Sequence, residues 1–207
     1  MIRFLIFSLY SSFLLVSCAV YRYPEAVGMR ESEMKELNTY YIDTTKAFVY
    51  RAKVNAFKQD VNGTLLVKAL AADEHRIALV SDFGQTLFDL TISPDKDVVH
   101  FIMPDLDKKF IRKEIAGIFR TMTQRTFASS ALMFSGKQHY PVYVSNDSYY
   151  LLKQREVDRI TKTKGTKERF TVIYNDVNSG IPLGVTVEHQ QLPITIHLFL
   201  DRNQSTL

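Results

Sequence analysis

The chain has 207 residues and a formal net charge of +4; 46% of its residues are hydrophobic, 23% charged and 12% aromatic, and the mean hydropathy is −0.09. These values suit one globular domain with a sizeable core and exclude collagen-like, disordered and polytopic membrane chains. The small positive balance, with Lys and Arg scattered, leaves no nucleic-acid footprint, and eleven Tyr and fourteen Phe against no Trp favour β-rich packing.

The chain opens on an export signal. Arg3 supplies a positive start, and ten of the thirteen residues from Phe4 to Val16 are apolar or Tyr. That run is shorter than the ~20 residues a membrane-spanning helix needs, and it suits the apolar core of a signal peptide. It ends at Leu15-Val16-Ser17-Cys18, which resembles the bacterial lipobox. The resemblance implies cleavage before Cys18, acylation of its thiol and of the new N-terminus, and a mature protein tethered to a membrane without spanning it. Cys18 is the only Cys, so no intramolecular disulfide forms. Two or three acyl chains anchor stably where one holds only marginally. Ala19 stands where an Asp would retain such a protein at the inner membrane, and no acidic run follows it. The expected location is therefore the outer membrane, facing the periplasm. Residues 1–17 read as signal peptide, 18–44 as tether and 45–203 as one domain.

Within the tether, residues 19–30 contain Pro24 and Gly28 and lack apolar periodicity. Glu31 to Tyr41 fits a short helix with Ser32 as N-cap, or a loop. From Ala47 onward, period-two patterns dominate. Phe48, Tyr50, Ala52, Val54 and Ala56 form one face of a strand, and Asn62-Gly63 predicts the hairpin that follows it. Punctuation at Ala72-Asp73-Glu74, Asp82-Phe83-Gly84 and Pro94-Asp95-Lys96 divides the chain up to Met103 into a meander of five strands. Several are apolar on both faces, so helix must cover them or they must enclose something. Asp105 to Met122 changes to helical spacing through Ile111, Ile115, Ile118, Phe119 and Met122, with Asp105 or Asp107 as cap. Arg125 to Phe134 is ambiguous and fits a second short helix. Strands resume at Tyr140 to Ser145, Tyr149 to Lys153, Glu156 to Lys162, Phe170 to Asn175, Leu183 to His189 and Pro193 to Asp201. In the last, Leu192, Ile194, Ile196, Leu198 and Leu200 make an inward row.

The lipobox, the meander containing Ser81-Asp82-Phe83-Gly84-Gln85-Thr86-Leu87, the helix and the closing aliphatic strand together resemble the LolA/LolB superfamily of outer-membrane lipoprotein receptors and periplasmic carriers. The resemblance implies a mainly β (α+β) fold, an open, unclosed antiparallel β-barrel with helices plugging its concave face, which binds acyl chains. It also implies a periplasmic carrier as partner. Phe83 matches an apolar residue that protrudes from that family's loop towards the membrane. It either touches a membrane here or packs under the turn made by Gly84.

Catalytic constellations are lacking. His75, His100, His139, His189 and His197 share no metal-type spacing, and Ser135-Gly136 and Ser179-Gly180 are turn signals without the G-x-S-x-G elbow. Asp95, Asp97, Asp105 and Asp107 suit turns and helix starts. No enzyme, cofactor or metal site is expected, and an acylated Cys18 is no nucleophile. Lys162, Lys164, Lys167 and Arg169 around Gly165 form the one basic cluster, either a solvated hairpin tip or a contact for anionic lipid headgroups. The expected function is binding of a lipid or lipoprotein acyl chain, in lipid or lipoprotein trafficking. Candidates for the cavity lining are Val54, Phe88, Leu90, Phe101, Ile115, Phe119, Val172, Ile194 and Ile196. The alternative is a structural or assembly lipoprotein with a filled barrel that binds protein partners on its outer surface.

Overall fold

Alternating side chains govern the computed structural model, which describes residues 20–135 and 139–206. The leader and Cys18 lie outside the described residues. The strands are β1 (Ala26–Leu37), β2 (Ala47–Ala56), β3 (Gln59–Ala71), β4 (Glu74–Ser81), β5 (Thr86–Ile92), β6 (Asp97–Ile102), β7 (Thr126–Phe134), β8 (Val142–Ser145), β9 (Ser148–Lys153), β10 (Glu156–Lys164), β11 (Lys167–Asn178), β12 (Ile181–His189) and β13 (Ile194–Leu200). They form a single antiparallel sheet in the order β1-β7-β8-β9-β10-β11-β12-β13-β2-β3-β4-β5-β6. Two meanders, β2 to β6 and β7 to β13, thus join where β13 pairs with β2. The sheet does not close, and β1 and β6 are its edges. A 3-10 turn at Pro104–Leu106 leads into α1 (Lys109–Thr123), which packs against β5, β10 and β11. This is the open, unclosed barrel expected from the sequence, with one α-helix as the plug.

Local structure departs from the sequence reading in four places. Residues 26–37 are a strand of the sheet rather than tether, helix or loop, with Met29 opposite Leu132 and Leu37 opposite Thr126. Irregularities between Ala26 and Gly28 and between Glu31 and Lys35 break its alternation, and charged residues suit an edge. The folded body therefore begins well before residue 45. It also continues past 203, because the Ala47 N–H donates to the Thr206 carbonyl at 2.8 Å.

The first hairpin turns at Phe57-Lys58, both with positive φ (52° and 67°), and not at Asn62-Gly63. Gly63 lies inside β3, opposite Ala52 and Ser81. A β-carbon there would stand 2.2 Å from the Val80 carbonyl oxygen, so the glycine serves close approach of β3 and β4 and not a turn.

Lys108 is the N-cap of α1 and offers no side-chain cap, so neither Asp105 nor Asp107 fills that role. Asp107 pairs instead with Arg112 at 3.2 Å. Arg125 to Phe134 is no second helix: Thr126–Phe134 is β7. Its two buried residues, Ala128 and Ala131, stand three apart as in a helix, but pairing with β1 and β8 makes it a strand.

The far end of the barrel, around the C-terminus of α1, is packed solid and stitched by buried polar groups. Asn38 has a positive φ of 58°, and its amide reaches the carbonyls of Thr121, Met122 and Gln124 at 3.2, 3.1 and 2.9 Å. Those are the orphan acceptors of a helix end. The Tyr174 hydroxyl donates to the Met122 carbonyl at 2.6 Å. Tyr41 donates to the Tyr50 hydroxyl, which donates to the Pro182 carbonyl at 3.0 Å. Burial drives the Tyr41 and Tyr174 hydroxyls far above the ordinary phenol range, so both stay neutral donors.

Candidate functional site

At the opposite end, α1 and the sheet draw apart and leave a cavity of about 510 Å³. Its volume lies within the ~300–1,000 Å³ usual for small-ligand sites. The strands supply the floor because inward positions alternate: Val54 of β2 is paired with Ile196 of β13, and Ile194 stands opposite Ala56. Leu65, Leu79 and Phe88 extend the floor across β3, β4 and β5. The apolar stripe of α1, Ile111, Ile115, Ile118 and Phe119, forms the roof. The Phe88 and Phe119 rings meet at 5.6 Å between centroids. Phe57 of the β2–β3 turn and Phe110 of α1 line the mouth and stay half-exposed, at 50% and 53%, beside Asp105 and Lys108.

Behind the mouth, one carboxylate breaks the apolar wall. Glu114, buried on α1, is held by Arg169 through two guanidinium nitrogens, Nη2 at 2.7 Å and Nε at 3.2 Å. His189 Nε2 donates to it at 3.3 Å. Burial alone would raise the Glu114 pKa, but these donors outweigh it and hold the carboxyl below its ordinary value. The sequence signal was available: Glu114 stands on the stripe between Ile111 and Ile118, where an acid needs a partner.

Six of the nine lining candidates, Val54, Phe88, Ile115, Phe119, Ile194 and Ile196, lie in the cavity wall. The other three lie elsewhere. Leu90 and Val172 are inward but deep in the packed core, at 2% and 0% exposure. Phe101 is 46% exposed on the edge strand β6, because a bulge between Asp89 and Leu90 sets it opposite Asp89 and leaves Ile102 opposite Phe88. Sequence reasoning missed Phe57 and Phe110 at the mouth, whereas Leu192, there as well, belongs to the inward row it did read.

Phe83 is 98% exposed and does not pack under its turn, where Gly84 (φ +78°) donates its N–H to the Ser81 carbonyl at 2.9 Å. The basic cluster divides. Lys162 pairs with Asp147 and Arg169 with Glu114, whereas Lys164 and Lys167 flank the exposed β10–β11 turn. His75 and His189 are packed side chains with backbone partners. Among the described residues, no three His, Cys, Asp or Glu side chains gather as a metal site, and no helix is long and apolar enough to cross a membrane.

No family model and no curated protein matches the sequence. Solved structures resemble the fold at low identity. A LolA superfamily protein from Nitrosomonas europaea is 7% identical with a TM-score of 0.45, over 82% of this chain and 89% of that one. A DUF1329 family protein from Desulfovibrio piger is 6% identical with a TM-score of 0.41, over 77% and 85%. A putative outer membrane lipoprotein-sorting protein domain from Vibrio parahaemolyticus is 9% identical with a TM-score of 0.37, over 78% and 86%.

Proposed function

We propose that this protein binds a lipid or lipoprotein acyl chain in the cavity between α1 and the sheet, as a binding protein and not an enzyme. One observation carries this reading: about 510 Å³ of space whose walls are mainly aliphatic and aromatic, open at a mouth rimmed by Phe57 and Phe110. A hydrocarbon chain gains by leaving water there, whereas a polar guest would lose hydrogen bonds. A filled interior would have favoured the scaffold alternative.

The lipobox supports acylation at Cys18 and a place on the periplasmic face of the outer membrane. A guest chain would arrive from a periplasmic carrier and leave to the membrane, with the protruding Phe83 as a membrane contact. Native mass spectrometry of the full chain carrying Cys18→Ala tests the cavity. A co-purified acyl species is expected; a clean apo mass, under conditions that preserve a control lipid carrier, overturns the proposal. The anchor is tested separately by the mass of the mature chain recovered from membranes of a Gram-negative host. Acylation lost in Cys18→Ala is expected, and an unmodified thiol overturns it.

A further inference from the structure

The connections around the cavity mouth form a continuous rim. The Phe57 N–H donates to the Pro193 carbonyl at 3.0 Å, linking the β2–β3 turn to the β12–β13 loop. Gln191 Nε2 donates to the Glu168 carbonyl at 3.1 Å, linking that loop to the β10–β11 hairpin. On the other side, the Asp82 N–H donates to the Asn62 carbonyl at 3.0 Å, seating the β4–β5 turn beside β3. The start of α1 completes the circuit, since Lys108 and Phe110 stand in the same cavity wall as Phe57.

The rim is basic. Lys58, Lys108, Lys109, Lys113, Lys164 and Lys167 are all exposed, and among the described residues none forms an ion pair. Of its acids, Asp82 is paired with Arg51, Asp107 with Arg112 and Asp147 with Lys162, while Asp60, Asp105 and Glu188 are exposed without an ion pair among the described residues, so six free lysines outnumber three free acids. Turns at the opposite end carry acid and base side by side, Asp95 with Lys96, Glu156 with Arg155 and Asp201 with Arg202, so no comparable excess of lysine stands there. The rim is also greasy, with Phe57, Phe83 and Phe110 projecting between the lysines. The described chain begins there as well. Tyr21 donates its hydroxyl to Glu168 and packs on the Tyr149 ring at 5.2 Å, leaving the exposed Val20 beside the same rim.

We infer that this rim docks on an anionic lipid surface, with the cavity mouth turned towards it. The inference rests on the proposed lipid binding and adds the surface the guest crosses. Lysine ammonium groups pair with anionic headgroups while three rings enter the interfacial layer; a soluble acidic protein would leave the rings without hydrocarbon. Residues 20–25 hold the first described residue at the rim, so an anchor just before it would pull the mouth and not the opposite end to the bilayer.

Vesicle co-sedimentation tests this with the full chain carrying Cys18→Ala, so that the leader contributes equally in every arm. Phosphatidylcholine vesicles containing phosphatidylglycerol are expected to bind it better than phosphatidylcholine alone, and added salt should erase the difference. The triple variant Lys58→Glu, Lys109→Glu, Lys167→Glu should lose more than about 100-fold in partitioning to the anionic vesicles, the loss expected from merely neutralising three lysines. Lys96→Glu with Arg202→Glu, at the opposite end, should change nothing. Phe83→Ser should weaken binding to both vesicle types. Equal binding to both vesicles by the parent chain overturns the inference, as does an equal loss in the opposite-end variant. So does a lysine-dependent affinity for soluble polyglutamate that matches the affinity for vesicles. Acyl-chain occupancy by native mass spectrometry should survive in the triple variant, which separates failure of docking from failure of the cavity.

Discussion

His189 donates through Nε2 to Glu114 at 3.3 Å, while its Nδ1 accepts from the backbone N–H groups of Gln191 and Leu192, both at 3.1 Å. Only a neutral imidazole with its proton on Nε2 satisfies all three contacts. The β12–β13 loop, which carries Leu192 to the cavity mouth, is thereby tied to the roof helix. Glu114→Gln leaves the partly buried Arg169 without its counter-charge and should cost roughly 2–3 kcal/mol, below the full ~3–5 for a wholly buried pair. The carboxyl's native pKa is depressed, so its contribution is present above the ordinary glutamate value and is lost as pH falls through the native one. Urea titrations at about pH 6 and pH 3.5 should show a smaller acid loss in Glu114→Gln than in the parent. Equal acid loss would mean that the pair adds nothing.

His75 is the opposite case. It is fully buried, donates through Nε2 to the Tyr41 carbonyl at 2.8 Å, and its Nδ1 has no partner among the described residues. Burial lowers its pKa, against weaker pulls upward from the Tyr41 carbonyl, Asp73 and Glu74. The unfolded chain then takes up a proton below about 6.5 that the native state refuses, so stability falls as pH drops from there. His75→Gln keeps a donor towards Tyr41 without the titration. Denaturation between about pH 7.5 and 5 should slope less in this variant, and parallel curves would refute the assignment.

Two glycines differ in why they are there. At Gly63 a β-carbon meets the Val80 carbonyl oxygen at 2.2 Å, so Gly63→Ala must push β3 from β4 and should cost about 1–3 kcal/mol. At Gly84 nothing lies within 4 Å, and only the φ of +78° resists a side chain. Gly84→Ala should cost about 1–2 kcal/mol, and Gly84→Asn less. Urea midpoints with unchanged slopes would measure both, and a Gly84→Asn loss as large as that of Gly63→Ala would contradict the distinction.

Much of the barrel is legible in β13 and the loop just before it, where Leu192, Ile194, Ile196, Leu198 and Leu200 alternate without a break and all line the cavity or join the apolar core around it. Strand β1 was not, because Arg30, Glu31, Glu33, Lys35 and Glu36 crowd it and two irregularities shift its phase. The Phe57-Lys58 turn was hidden for a different reason. Neither residue advertises a left-handed conformation, and the Asn62-Gly63 pair nearby does. The cavity itself was half legible. Period two separates inward from outward residues, but it cannot tell an inward residue facing a void from one facing the helix. Only the placement of α1 does that.

Val54 and Leu90 make that difference measurable, since both sit inward on their strands but only Val54 faces the void. Enlarging Val54 to Phe fills space instead of displacing neighbours, so the fold should keep its melting temperature to within a few degrees, roughly ±0.5 kcal/mol. Its affinity for a fluorescent fatty acid should fall at least about tenfold, the loss of ~1.4 kcal/mol of apolar contact. Leu90→Ala removes buried methyl groups from the packed core and should cost about 2–5 kcal/mol. Measured per folded molecule, it should leave fatty-acid affinity unchanged. If Leu90→Ala weakened binding and Val54→Phe did not, the guest would lie in the core region below Phe88, and the cavity at the mouth would be only its entrance.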